Sequence, residues 1–179
     1  MKPVQIGLGP YVRARSAKYP FIVIFPQCET TRGRRFLERW KAGSPDAIRA
    51  LKILDQVEKD YSVDRSREIL TGWSMGGYGA WSLAMTHPDR WAAVVPVSGG
   101  GDTTRVATLK NVPIWAFHGE KDETIPIKRT EMMIEALKAA GAGNVRFTVY
   151  ADAGHDSWTE TYGNPELYEW FLSHTRTSH

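Results

Sequence analysis

Ile69-Leu70-Thr71-Gly72-Trp73-Ser74-Met75-Gly76-Gly77-Tyr78-Gly79-Ala80 is the stretch that decides what this chain folds into. A short apolar run leads into Gly-Trp-Ser-Met-Gly, and a helix-compatible segment, Tyr78 to Thr86, follows. Glycine–x–serine–x–glycine between a strand and a helix is the nucleophile-elbow pattern. It predicts that Ser74 sits on a sharp turn with its hydroxyl thrust out of the sheet. Gly72 and Gly76 are expected to flank the turn where a Cβ would clash. The Met75 N–H, at the positive end of the new helix, would face a site where negative charge develops. The bland alternative is a structural glycine turn, since Gly and Ser are common in loops.

What raises the pattern above that alternative is its company. A serine hydroxyl needs a base, and the base needs a partner that fixes its tautomer. In this architecture the order along the chain is serine, acid, histidine. Of five histidines, His174 and His179 are terminal, and His87 precedes Pro88 at a helix end, where a C-terminal cap is the simpler role. His118 ends an apolar run and is read as structural. His155, in Ala153-Gly154-His155-Asp156, lies in a loop able to reach over the elbow and is the candidate base. Asp122 is the favoured acid, with Glu120, Glu123 and Asp102 as rivals; Asp152 and Asp156 stand too close in sequence to His155 to point at its ring.

Further outward, helices and strands alternate. Phe21–Phe25, a partly β-branched run closed by Pro26, reads as a strand buried on both faces. Ser44-Pro45-Asp46 starts an amphipathic helix over 45–60. Strands are expected at 91–97, 112–118 and 145–150, and helices at 126–140 and 165–174. Residues 4–8 alternate as a short edge strand or a loop before Gly9-Pro10, Arg35 to Trp40 offers one helical turn, and 102–111 a short helix. This alternation predicts one α/β domain over 1–179: a mainly parallel sheet with helices on both faces and its site at the strands' carboxyl ends.

Composition sets the outer bounds. With 179 residues, 42% hydrophobic and 24% charged, the chain has the profile of a globular domain with a real core. The net charge of +3 draws on Arg13, Arg15, Lys18, Arg32, Arg34 and Arg35, and no nucleic-acid recognition motif accompanies it. Cys28 alone makes neither an internal disulfide nor a multi-cysteine metal site. No run reaches membrane-spanning length and no signal peptide is visible, so the expected location is cytoplasmic, with a secreted parent chain as the alternative.

The segments 72–77, His118-Gly119-Glu120-Lys121-Asp122 and Gly154-His155-Asp156 together resemble the α/β-hydrolase superfamily. Within it, Phe25-Pro26-Gln27-Cys28, Pro88-Asp89-Arg90 and Glu166-Leu167-Tyr168-Glu169-Trp170 are similar to bacterial carboxylesterases of the predicted-peptidase and phospholipase/carboxylesterase type, related to feruloyl and polyhydroxybutyrate esterases. The resemblance implies ester hydrolysis without metal or organic cofactor. It also implies Ser74 as nucleophile, Asp122 as acid, His155 as base and Met75 N–H as an oxyanion donor.

One departure stands out: a single clear strand and a single long helix precede the elbow. The resemblance therefore implies an α/β-hydrolase fold with a reduced N-terminal strand set, as if shortened on that side. A second oxyanion donor is then sought on the nearest loop, at Gln27, Cys28 or Trp40, with Gln27 preferred. The sheet edge beside the nucleophile strand would be open unless residues 21–25 fill it, and an oligomer could cover it. No lid-like apolar insertion is present, which favours short acyl esters of small or sugar alcohols. Trp40, Trp73, Trp158 and Tyr78 are candidate walls for a sugar or aromatic group, with core packing the simpler role for Trp73 and Tyr78. The rival readings are a hydrolase-like binding domain, a peptidase of the same fold and, more distantly, a metal hydrolase through His118, Asp122 and His155, whose spacing fits no compact ligand motif.

Overall fold

The structure, a computed structural model, describes residues 3–29 and 39–176. Four parallel strands stand in chain order: β1 (Ile69–Trp73), β2 (Ala93–Val97), β3 (Ile114–Gly119) and β4 (Val145–Tyr150). Trp73 pairs with Val97, Val97 with Phe117, and Gly119 with Tyr150, so the carboxyl ends of all four strands open on one rim.

Helices cover both faces. They are α1 (Leu8–Ala14), α2 (Pro45–Asp60), α3 (Met75–Thr86), α4 (Lys128–Ala139), α5 (Trp158–Gly163) and α6 (Pro165–Ser173). The period-two geometry of a strand divides the core. Val94, Ile114 and Ala116 point into one layer with Trp81, Leu109, Met133 and Leu137. Ala93, Val95, Val97, Trp115 and Phe117 point into the other, with Tyr162, Leu167, Trp170 and Phe171. That is why β2 and β3 read as unbroken apolar runs: they are buried on both sides. This is the expected α/β arrangement, with β1, the strand that leads into Ser74, at the sheet edge.

Local chemistry accounts for most boundaries. The Ser44 hydroxyl accepts from Ala47 N at 3.1 Å and starts α2. Arg90 ties α2 to the entry of β1, pairing with Asp55 and Glu68 at 2.8 Å each and with Glu58. Asn164 caps α6 with Pro165 at its first position. Thr103–Leu109, expected as a short helix, is a 3₁₀ turn capped by Asp102.

Three expectations are corrected. Phe21–Phe25 is extended but belongs to no ladder. Phe21, Val23 and Phe25 pack on the second layer while Ile22 is 56% exposed, so the run is buried on one face, not two. Composition made it extended; a strand also needs a partner, and none of the described backbone groups of 19–28 bonds to another backbone. Residues 4–8 form neither strand nor simple loop: a 3₁₀ turn over Pro3–Gln5 leads through Gly7, at φ 63°, into α1. Residues 158–163, for which no element was expected, form α5. The helical turn proposed at Arg35 to Trp40 falls largely outside the described residues.

Candidate active site

Ser74 occupies the turn between β1 and α3 at φ 54°, ψ −119°, a left-handed backbone that a non-glycine residue adopts at a cost of roughly 1–3 kcal/mol. The surroundings hold it there. Ser74 N donates to Val97 O at 2.9 Å, and Ser74 O accepts from Gly77 N at 2.9 Å and Tyr78 N at 3.2 Å. A Cβ at Gly72 would strike the Gly76 backbone, as expected, but one at Gly76 would meet open space. The second crowded glycine is Gly77, where a Cβ would lie 2.6 Å from Val97 O. Glycine is demanded at 72 by the elbow's own backbone and at 77 by the close approach of α3 to β2, but not at 76.

Asp122 follows β3 and His155 follows β4, and two backbone bonds lace their loops together. Glu120 N donates to Tyr150 O and Lys121 N to Ala153 O, both at 3.0 Å. Across that junction His155 Nδ1 donates to Asp122 Oδ2 at 2.8 Å, and His155 Nε2 lies 2.9 Å from Ser74 Oγ. An ionised carboxylate only accepts, so the proton sits on Nδ1 and leaves Nε2 to accept from the serine. The Asp122 side chain is fully buried. Its Oδ1 accepts from Thr124 N at 2.9 Å and Ile125 N at 2.8 Å, which fixes the carboxylate plane.

The rivals for the acid lie elsewhere. Glu120 and Glu123 are exposed. Asp102 caps its own turn through Thr104 N, Asp152 pairs with Lys121 in solvent, and Asp156 accepts from Thr159 N at the start of α5. Among the other histidines, His87 sits exposed at the end of α3 and His174 Nδ1 donates to Trp170 O at 2.7 Å. His179 is outside the described residues.

Met75 is the first residue of α3, where an N–H has no intrahelical acceptor, and it has none elsewhere among the described residues. Gln27 is exposed on the unpaired segment, makes no hydrogen bond to the elbow, and is followed by buried Cys28. Trp40 lies half-buried against α3, so that a Cβ on Gly79 would come within 2.6 Å of the tryptophan Cβ. Trp158 is not an open wall. It is 6% exposed, with its ring tilted 33° to that of Trp73 at 4.2 Å and edge-on to the His155 ring at 5.2 Å. Its position at the start of α5 turns the indole into the core, where it backs the imidazole. Tyr78 is half-buried, and burial pushes its phenol up.

His118 is a partner that sequence reasoning left as merely structural. Completely buried, its Nε2 donates to Ile125 O at 2.8 Å and lies 3.2 Å from Asp122 Oδ2. The Thr130 hydroxyl sits between His118 Nδ1 at 2.7 Å and Gly99 O at 2.5 Å. Burial pushes this ring below its ordinary value of 6.5, against the pull of the Ile125 carbonyl and the Asp122 carboxylate. A folded value below the unfolded one means that the unfolded chain takes up the proton first. Stability is therefore complete above about pH 6.5 and is lost as pH falls through the lower folded value. Urea midpoints should decline on that acid limb, and His118→Gln should flatten the decline. Among the described residues no cluster of three or more His, Cys, Asp or Glu has metal-holding geometry. No described helix is long and apolar enough to cross a membrane.

A parallel sheet with a strained serine between an edge strand and a helix at its carboxyl rim is the architecture of an α/β-hydrolase. A family model described as phospholipase/carboxylesterase matches residues 35–164, and the chain belongs to that family. It is 30% identical over 112 residues to the bifunctional acetylxylan esterase/xylanase XynS20E of Neocallimastix patriciarum, a match spanning 62% of this chain and 16% of that protein. It is 27% identical over 88 residues to poly(3-hydroxyalkanoate) depolymerase C of Paucimonas lemoignei, spanning 46% of this chain and 21% of the other. The chain thus covers less than a quarter of either relative's length. A solved thermostable esterase superposes with TM-score 0.71 at 35% identity, over 74% of this chain and 37% of its own. Arabidopsis thaliana SOBER1 shares the fold at TM-score 0.58 and 22% identity, over 74% of this chain and 70% of its own.

Proposed function

We propose that this chain is a serine carboxylesterase acting on short-chain acyl esters through an acyl-enzyme. The observation that carries the reading is the unbroken line Ser74 Oγ, His155 Nε2, His155 Nδ1, Asp122 Oδ2, with bonds of 2.9 and 2.8 Å. Ser74 Oγ attacks the ester carbonyl carbon while His155 Nε2 takes the hydroxyl proton. Asp122 stabilises the resulting imidazolium. The carbonyl oxygen gains charge next to Met75 N–H and the amino end of α3, where each such donor contributes about 10²–10³ in kcat. His155 then returns the proton to the leaving alcohol as the C–O bond breaks. Water, deprotonated by the same nitrogen, attacks the acyl-serine; the acyl C–Oγ bond then breaks, His155 returns the proton to Ser74 Oγ, and the acid leaves.

Short acyl groups are favoured for two reasons. No apolar lid segment lies over the rim among the described residues, and the relatives named above include an acetylxylan esterase. Of the aromatic residues around the elbow, half-buried Trp40 and Tyr78 are the candidates to meet a sugar or an aromatic ring, whereas Trp73 and Trp158 serve the wall behind His155.

Hydrolysis of p-nitrophenyl esters from acetate to long chain tests the reading. Turnover is expected to be highest for acetate and to fall with chain length, and amide analogues should be cut far more slowly. A preference for long chains would overturn the substrate class. A folded protein with no turnover at all would favour a binding domain.

A further inference from the structure

The carbonyl of His155 is held by a device outside the proposed catalytic line. Ser98, directly after β2, is the second of two non-glycine residues with positive φ among the described residues, at 46°, and it is fully buried. Its hydroxyl lies 3.3 Å from His155 O and 2.6 Å from Ser157 Oγ, and Ser157 is also fully buried. Ser157 N donates to the same His155 carbonyl at 3.0 Å. A carbonyl only accepts, so one proton arrangement satisfies the group: Ser157 Oγ–H donates to Ser98 Oγ, and Ser98 Oγ–H donates to His155 O.

The backbone around Ser98 explains why this position is strained. Ser98 N donates to Phe117 O at 2.9 Å, tying it to β3, while the neighbouring Val97 O accepts from Ser74 N at 2.9 Å. One peptide unit thus holds the nucleophile turn while the next residue reaches 57 positions along the chain to the histidine loop. A regular extended backbone at 98 would send the hydroxyl to the other face of the sheet.

From this the geometry points to Ser98 as a positioning residue for the proposed hydrolysis: its hydroxyl, oriented by Ser157, sets the height of the His155 loop and hence the Nε2–Ser74 Oγ distance. The inference rests on the esterase reading of the site. The effect is on orientation, to which catalysis is steeply sensitive: misplacement by about 1 Å costs on the order of 10²-fold.

Ser98→Gly is the informative variant, because glycine accepts positive φ without strain and removes the hydroxyl together with its Cβ. Its kcat on p-nitrophenyl acetate should fall by about 10- to 100-fold with KM nearly unchanged, while its melting temperature moves little, the strain relieved at 98 offsetting the unpaired Ser157 hydroxyl. A merely structural serine would move activity and stability together. Ser157→Ala should lose less, since Ser98 still donates to His155 O, and the double variant should be no worse than Ser98→Gly alone. Independently of any substrate, the proton NMR resonance of the His155–Asp122 hydrogen bond should shift or broaden in Ser98→Gly and remain in Ser74→Ala. Unchanged kcat and an unchanged resonance in a folded Ser98→Gly would overturn the proposal. A wild type with no Ser74-dependent turnover would sink the esterase reading instead, and the resonance would still decide whether Ser98 positions His155.

Discussion

Ser74→Ala should lower kcat on p-nitrophenyl acetate by about 10⁴–10⁶ while leaving KM and the melting temperature close to wild type. The substitution deletes one atom, Oγ, and retains the Cβ and the backbone at φ 54°. Alanine carries the same conformational cost as serine there, and the bonds from Ser74 N to Val97 O and from Gly77 N to Ser74 O involve only backbone. The fold therefore has no reason to change. What goes is the nucleophile and the partner of His155 Nε2. Residual catalysis would come from Met75 N–H and substrate binding. The check is a full kinetic comparison with a thermal melt of each protein. A loss below tenfold would mean that another group attacks the ester.

Asp122→Asn should be nearly as severe, at about 10⁴ in kcat, and for a different reason. The four groups around this carboxylate are all donors: Thr124 N, Ile125 N, His155 Nδ1 and His118 Nε2. Asparagine supplies one accepting oxygen. The two backbone N–H groups converge on one side and cannot retitrate, so they capture that oxygen. The amide NH₂ then faces the two histidines. It forces His155 to accept at Nδ1 and to carry its proton on Nε2, the wrong tautomer for a base facing Ser74. Kinetics on the short ester, with ¹⁵N NMR of the histidine rings, would show both the loss and its cause. A near-wild-type rate would mean that Asp122 positions the loop without directing the tautomer.

The grouping of Ser74, His155 and Asp122 was legible because the chemistry such a group would serve forces residue type and chain order together. Serine between glycines, then an acid, then a histidine, each after an apolar run, leaves few ways to be arranged. β4 and the elbow strand were legible because alternation and β-branching fill windows of strand length. Other features depend on contacts far apart in sequence. Phe21–Phe25 has the composition of a strand, yet pairing is a property of its neighbour. α1 was hidden by Gly9-Pro10, which reads as a break, although a proline in a helix's first turn gives up an N–H that has no partner anyway. Leu8, Tyr11 and Val12, three and four apart, were the signal. α5 is six residues long and too short to show a period. The bond of His118 to the Asp122 region depends on how residues 122–125 curl, and Ser98 and Ser157 are small polar residues that mean nothing until their loops meet.

The extended run from Tyr19 to Cys28 has one more property. It lies on the core as a strap with no backbone hydrogen bond to the rest of the described residues, and it ends in the chain's single thiol, which is 7% exposed. A thiol reagent reaches buried Cys28 through local opening of the chain around it. The rate of its modification, measured against the unfolded chain, therefore gives the free energy of the opening that exposes it, with no mutation and no competing cysteine. The strap carries its own clock.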